Sequence, residues 1–224
     1  MDTKIRLLSI VLLAVSALVL PLRTAFGQYS FDDEFNGTSL DTNVWVALSR
    51  PGDSSNNEQE YLLPTNETVS GGNLAITCKV DSSQPGYNYT SAMVQWKSFN
   101  FTYGTVEFRA KMAGGQGTWP AVWLLGSNCQ QTNVPSADNV PPCNWPEPGS
   151  DEIDIAEIYG GLTTVHQSVH SGSSNYSYSA STTDVSQNWH VYQLSWAPGS
   201  LTWKIDGVTT YTLTSGFPPR QCSS

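Results

Sequence analysis

Apolar and polar residues alternate in short runs along most of the chain, and no stretch beyond residue 27 holds a helical apolar period over a useful length. Runs of this kind, bounded by Gly, Pro, Asn and Ser, predict strands. Nine stand out: NLAITCKV (73–80), AMVQWKSF (92–99), GTVEFRAKM (104–112), WPAVWLLG (119–126), DEIDIAEIY (151–159), VHQSVHS (165–171), WHVYQLSW (189–196), LTWKIDG (201–207) and TTYTLT (209–214). Without crossover helices between them, they predict antiparallel sheets packed as a sandwich, an all-β fold. No repeat and no linker divides the chain. Residues 127–150 form a long connection rich in Pro and polar residues, placed to border a functional face. Residues 171–183, rich in Ser, Tyr and Gly, read as a flexible surface connection.

One run breaks the simple alternation. In GSDEIDIAEIYGG (149–161), Glu152 and Asp154 share one face of a strand while Ile153 and Ile155 point to the other. Strict alternation would turn Glu157 away from the other two acids. One inserted residue, a β-bulge at Ile155–Ala156, returns it to the acidic face. Three carboxylates in a row repel one another, and a catalytic task accounts for that cost. The alternatives are the solvated face of a half-buried strand or a Ca²⁺ site.

Aromatic and amide-rich segments supply further candidates. Trp96, Trp196 and Trp203 lie on alternating strands and are assigned to the core. Trp119, set among Gly and Pro in GGQGTWP, is expected to be exposed and rigid, a platform for an apolar ring face. Trp123 fits either the core or a second platform. NNEQEYLL (56–63) brings amides, acids and an aromatic together, a pattern equally suited to hydrogen bonding hydroxyls and to an ordinary solvated loop.

Composition narrows the setting. Lys4 and Arg6 precede the apolar run 7–22, with small residues before Gln28, which reads as a secretory signal over residues 1–27 followed by a single domain, 28–224. The apolar run is short for a membrane span and Pro21 interrupts it, so a secreted, monomeric protein with no membrane partner is expected. The whole chain carries 10 basic and 19 acidic residues, net charge −9; loss of Asp2, Lys4, Arg6 and Arg23 with the signal takes it to −11. Such a surface argues against nucleic acid and suits a neutral polymer. Of Cys78, Cys129, Cys143 and Cys222, Cys129 and Cys143 are placed to bridge their loop, a link worth about 3 kcal/mol. Cys78 reads as a small buried apolar residue. None has zinc-like spacing. Sequons occur at Asn36, Asn66, Asn88, Asn100 and Asn175.

Taken together, EIDIAE, DEFNGTSLDTNVW, NNEQEY, YGTVEFRAKM, GQGTWPAVWLLG and VHQSVH resemble glycoside hydrolase family 16, in its laminarinase-like branch of endo-1,3-β-glucanases. The resemblance covers roughly residues 29–213. It implies a β-jelly-roll sandwich, a substrate cleft and a retaining hydrolase that needs no catalytic cofactor, with β-glucan as the polymer bound. By motif position Glu152 matches the nucleophile, Glu157 the general acid/base and Asp154 the carboxylate between them. The spacing E-x-D-x-x-E is the bulged form of laminarinases, agarases and carrageenases. With the bulge, Glu152 and Glu157 lie about 13 Å apart at their α-carbons, and leaning side chains narrow this toward the ~5–5.5 Å of a retaining pair. Asn57, Glu58, Tyr61, Trp119, Trp123 and His170 match substrate-contacting positions. Arg109 reads as a structural partner of a sheet carboxylate.

Beyond LTWKIDGVTTYTLTSGFPP the family pattern calls for another core strand, whereas this chain reads RQCSS, so a missing C-terminal strand is expected. The family's structural Ca²⁺ draws a carboxylate from that part; Glu34 and Gly72, in the Gly71–Gly72 turn, resemble its other contributors. The alternatives to a 1,3-β-glucanase are a non-catalytic glucan-binding jelly roll and a hydrolase of mixed-linkage glucan, agarose or carrageenan.

Overall fold

The computed structural model describes residues 30–97, 100–129, 143–147, 150–215 and 222–223. The expected signal segment and much of the long connection lie outside the described residues. Residues 34–224 form one compact unit. Its first part is built of short strands: β1 (Trp45–Ala47), β2 (Arg50–Pro51), β3 (Glu60–Leu62), β4 (Glu67–Ser70), β5 (Asn73–Ile76), β6 (Lys79–Val80), β7 (Tyr89–Ser91) and β8 (Val94–Trp96). Longer strands follow: β9 (Gly104–Ala110), β10 (Ala121–Gly126), β11 (Glu152–Glu157), β12 (Thr164–Ser171), β13 (Ser174–Ser181), β14 (His190–Ala197), β15 (Ser200–Ile205) and β16 (Val208–Leu213), and last the two-residue β17 (Cys222–Ser223). The fold is an all-β sandwich. One sheet runs β13-β12-β11-β10-β17 and the other β16-β15-β14-β9, with β2-β3-β7-β6 and the pairs β1-β8 and β4-β5 as smaller sheets.

Period-two patterning builds the core between the two large sheets. Leu124, Ile153, Ile155, Val165 and Val169 from the first sheet join Tyr192, Leu194, Trp196, Leu201, Trp203 and Ile205 from the second in one buried cluster. Trp96, Trp196 and Trp203 are all buried, as the alternation of their strands requires.

The predicted bulge falls at Ile155–Ala156. Against β12, Asp154 pairs Ser168 and Glu157 pairs His166, so two residues of β11 face the single Gln167. Against β10 the register slips at the same place, from Trp123↔Asp154 to Val122↔Ala156. Ile155 and Ala156 are both fully buried, so the extra residue sinks into the core and the acids remain on the opposite face.

Two bonds from the opposing sheet lock this irregularity. The Trp203 indole N–H donates to the Asp154 carbonyl at 2.9 Å. The Thr210 hydroxyl donates to Oε1 of the fully buried Gln167 at 2.8 Å. A carbonyl at a ladder disruption, deep in the interior, needs a donor to avoid a desolvation loss, and Trp203 supplies it.

Several expectations are corrected. The segment read as a flexible connection after Ser171 is largely the eight-residue strand β13, paired along its whole length with β12. A Gly172–Ser173 turn makes the hairpin, Gly172 taking the positive φ of 57° that it requires. The run 73–80 is split, because Asn66 takes both backbone groups of Thr77, its carbonyl accepting from Thr77 N and its Nδ2 donating to Thr77 O. Cys78 in that gap is exposed and free rather than buried. Among the described residues Arg109 meets no carboxylate: its guanidinium lies 4.4 Å over the Trp189 ring. At the C-terminal end, the two-residue β17 pairs with β10 opposite Leu125 and Gly126.

We expect Trp203→Phe, which keeps a ring but removes the donor, to lower stability by about 2–4 kcal/mol in urea unfolding. A loss below about 0.5 kcal/mol would mean that the Asp154 carbonyl does not depend on this bond.

Candidate active site

The bulge aligns three strands into a polar grid. On β11 stand Glu152, Asp154 and Glu157; opposite them on β12 stand His170, Ser168 and His166. Beyond these on β13 stand Asn175, Ser177 and Ser179. One bond joins β12 to β13 in each of the three rows: His170 Nδ1 meets Asn175 Oδ1 at 2.8 Å, Ser177 donates to Ser168 at 3.4 Å, and Ser179 Oγ meets His166 Nδ1 at 3.0 Å.

Tryptophans hold the two ends of the acid row. Trp145 Nε1 donates to Glu152 Oε2 at 2.6 Å, and Trp119 Nε1 donates to Glu157 Oε1 at 2.9 Å. Each glutamate is thereby fixed through one oxygen. Trp145 is set by its own segment: Cys143 is disulfide-bonded to the buried Cys129, and Gly172 N at the hairpin tip donates to Pro146 O at 2.6 Å. Its ring lies 5.7 Å from that of His170.

Asp154 sits deepest. His170 Nε2 lies 3.4 Å from Asp154 Oδ2, at ion-pair distance. The alignment is not that of a hydrogen bond, and Oδ2 has no such partner among the described residues. With Nδ1–H committed to Asn175, His170 presents a second N–H to Asp154 only as an imidazolium.

Burial sets the electrostatics. It is the largest cause raising all three carboxyls above their ordinary range. Glu152 is pushed up to about 8, by burial first and then by the Asp154 charge, with His170 and the Trp145 N–H offsetting part of this. Glu157 is raised by burial and the Glu152 charge against the Trp119 hydrogen bond. His170 is lifted to about 9, foremost by Asp154. Burial thus favours the protonated form of each acid beside a cationic imidazole, and a raised Glu157 carboxyl is what a general acid requires.

Not every anticipated residue joins this grid. Trp119, 47% exposed, and His170 do; Trp123 is half-buried and pairs with Asp154 across the ladder. Asn57, Glu58 and Tyr61 lie apart in their bonding. Glu58 caps its own turn by accepting from Asp53 N, and Tyr61 packs edge-on to Tyr87. No hydrogen bond, ion pair or ring contact joins them to the acids among the described residues. Trp145, Tyr159, His166, Ser168 and Asn175 were not anticipated. The spacing of His166, Ser168 and His170 at every second residue was a visible signal, readable once β12 is paired with β11.

Glu34 and Gly72 do adjoin: a Cβ on Gly72 would lie 3.8 Å from the Glu34 carbonyl and 3.6 Å from Asn36 Oδ1. These are neutral oxygens, and a calcium ion takes six to eight oxygens with carboxylates prominent. These two oxygens alone do not complete that set. Among the described residues the one convergence of three potential ligand groups is Glu152, Asp154 and His170.

The model of glycosyl hydrolases family 16 matches residues 53–219. The chain is 31% identical over 206 residues to the endo-1,3-1,4-beta-glycanase EglC of Rhizobium meliloti, covering 79% of this chain and 40% of that protein. It is 33% identical over 175 residues to a beta-1,3-glucan-binding protein of Penaeus monodon, covering 66% of this chain and 42% of that one. The chain therefore spans about two fifths of the length of these relatives. Among solved structures, the catalytic domain of an endo-1,3-beta-glucanase (laminarinase) from Thermotoga petrophila superposes with a TM-score of 0.69 at 29% identity, covering 84% of this chain and 77% of that chain.

The charge pattern has a consequence for stability. The folded Glu152 carboxyl, raised to about 8 from 4.5, binds a proton that the unfolded chain has released across that window. Its stabilising contribution is full below pH 4.5 and is lost as pH rises through about 8. We expect the melting temperature of wild type to fall relative to that of Glu152→Gln between these limits. Parallel melting curves would contradict the raised carboxyl.

Proposed function

The chain belongs to glycosyl hydrolases family 16, and we propose that it is a secreted, retaining endo-hydrolase of 1,3-β-glucan acting by double displacement. The observation that carries this reading is the acid row, with Glu152 and Glu157 at its ends, each held through one oxygen by its own tryptophan, and Asp154 buried between them.

Glu152 is the nucleophile. Trp145 engages Oε2, which leaves Oε1 to attack the anomeric carbon. Glu157 carries the proton that passes to the glycosidic oxygen as that bond breaks, and it then takes a proton from the water that releases the glycosyl ester. Attack needs Glu152 ionised although its surroundings favour the acid. Asp154, its carboxyl also raised, stands next to Glu152 on the same face of β11, where it can take up the proton that Glu152 releases. His170 faces Asp154 as a cation and limits the charge that the cluster accumulates. Asn57, Glu58, Tyr61 and Trp123 are assigned to more distant substrate contacts on the resemblance alone.

The 1,3-β-glucan assignment is supported by the laminarinase fold match and by a basic-poor chain ill suited to sulfated polymers. The Cys129–Cys143 disulfide supports an oxidising destination. A second reading, a glucan-binding module, is supported by the Penaeus monodon relative. Three mutually repelling acids, two of them buried, favour catalysis, since neutral sugar binding alone has no use for them.

We expect the protein to release reducing ends from laminarin and Glu152→Gln to lose at least ~10³-fold of that rate. Undiminished release by the variant would reject the nucleophile. Folded wild type that is retarded in a laminarin-containing gel yet releases nothing would establish the binding module.

A further inference from the structure

We propose that Tyr159 is a sugar-stacking platform on the leaving-group side of the cleft, binding the glucosyl unit that departs in the first step. The inference rests on Glu157 being the general acid, and it concerns a residue two positions beyond it.

The tryptophans give the acid row a direction. Trp145 bonds the nucleophile end and Trp119 the acid end, so the surface next to Trp119 receives the part of the substrate whose oxygen Glu157 protonates. Tyr159 adjoins Trp119 edge-on, with ring centroids 5.5 Å apart and planes at 69°. One face of Tyr159 lies flat on His166, at 3.8 Å and 7°. His166 is itself held at both nitrogens, Nε2 by the Tyr159 carbonyl at 3.1 Å and Nδ1 by Ser179 Oγ at 3.0 Å. The tyrosine is therefore backed by a fixed support.

What remains is aromatic surface open to solvent. Tyr159 is 43% exposed and Trp119 47%, and the Trp119 N–H is already engaged by Glu157, so its ring offers a contact face. Gly160 and Gly161 follow, and a Cβ on either would meet nothing within 4 Å, which leaves the ground beside the ring clear. Burial and the charges of Glu157 and Asp154 raise the Tyr159 phenol, which places the ring within the field of the acids and keeps it neutral. A pre-formed, supported aromatic corner at the acid end suits the C–H face of a β-linked glucopyranose, whose equatorial hydroxyls leave that face apolar. The same corner would seat an acceptor sugar in the second step.

Binding and turnover test this separately. In a Glu152→Gln background, we expect Tyr159→Ala to weaken calorimetric binding of a β-1,3-linked glucopentaose by about five- to tenfold, and Tyr159→Phe to restore it. Unchanged affinity in the alanine variant overturns the platform, and failure of phenylalanine to restore binding overturns stacking as its basis. In the otherwise unaltered enzyme, Tyr159→Ala should lower kcat/KM for the pentaose several-fold more than for a glycosyl fluoride, whose leaving group fills no sugar site. An equal fall for both substrates overturns the leaving-side location. Wild type that cleaves neither substrate refutes the hydrolase reading, and the binding measurement still decides whether Tyr159 stacks sugar.

Discussion

A strand reverses its side chains at every residue, and the site depends on breaking that rule once. Without the extra residue at Ile155–Ala156, Glu157 would face the core and Glu152 would have no partner at the other end of the row. The bulge also sets the register of the neighbouring strand. Because β12 continues its period of two past the irregularity, His170, Ser168 and His166 each meet one acid, and β13 repeats the match with Asn175, Ser177 and Ser179. One backbone irregularity thus organises nine polar positions on three strands.

An interrupted ladder beneath a cluster of carboxylates is held from the opposite layer. Trp203 bonds the Asp154 carbonyl and Thr210 bonds Gln167, which faces the bulge, so the core clamps the two strands whose outer faces carry the chemistry. Burial favours the protonated form of the acids, and the compensation is local: the imidazole of His170 and two indole N–H donors. The site is costly in isolation and tolerable because these groups converge on it.

Face parity in GSDEIDIAEIYGG was enough to locate the bulge and the acid face, since alternation is a property of the backbone alone. The buried tryptophans were legible for the same reason. The polar grid was not, because it needs strand register, and β13 was mistaken for a loop on its Ser and Gly content although Asn175, Ser177 and Ser179 already alternate with Tyr176 and Tyr178. Trp145 lay hidden in a long connection, where a disulfide and a hairpin tip rather than any local pattern set its position. The run around Cys78 misled in the opposite sense: its apolar alternation is real, yet Asn66 captures Thr77 and breaks the strand.

We infer that the bulge brings Glu152 and Glu157 into the relation of nucleophile and acid/base across one glycosidic bond. Proton NMR of the first reducing sugar released from a 1,3-β-glucan oligosaccharide, recorded before mutarotation, tests this directly. Two displacements at the anomeric carbon give the β-anomer, the result expected here. Initial appearance of the α-anomer would mean direct attack by water and would contradict the assignment of Glu152.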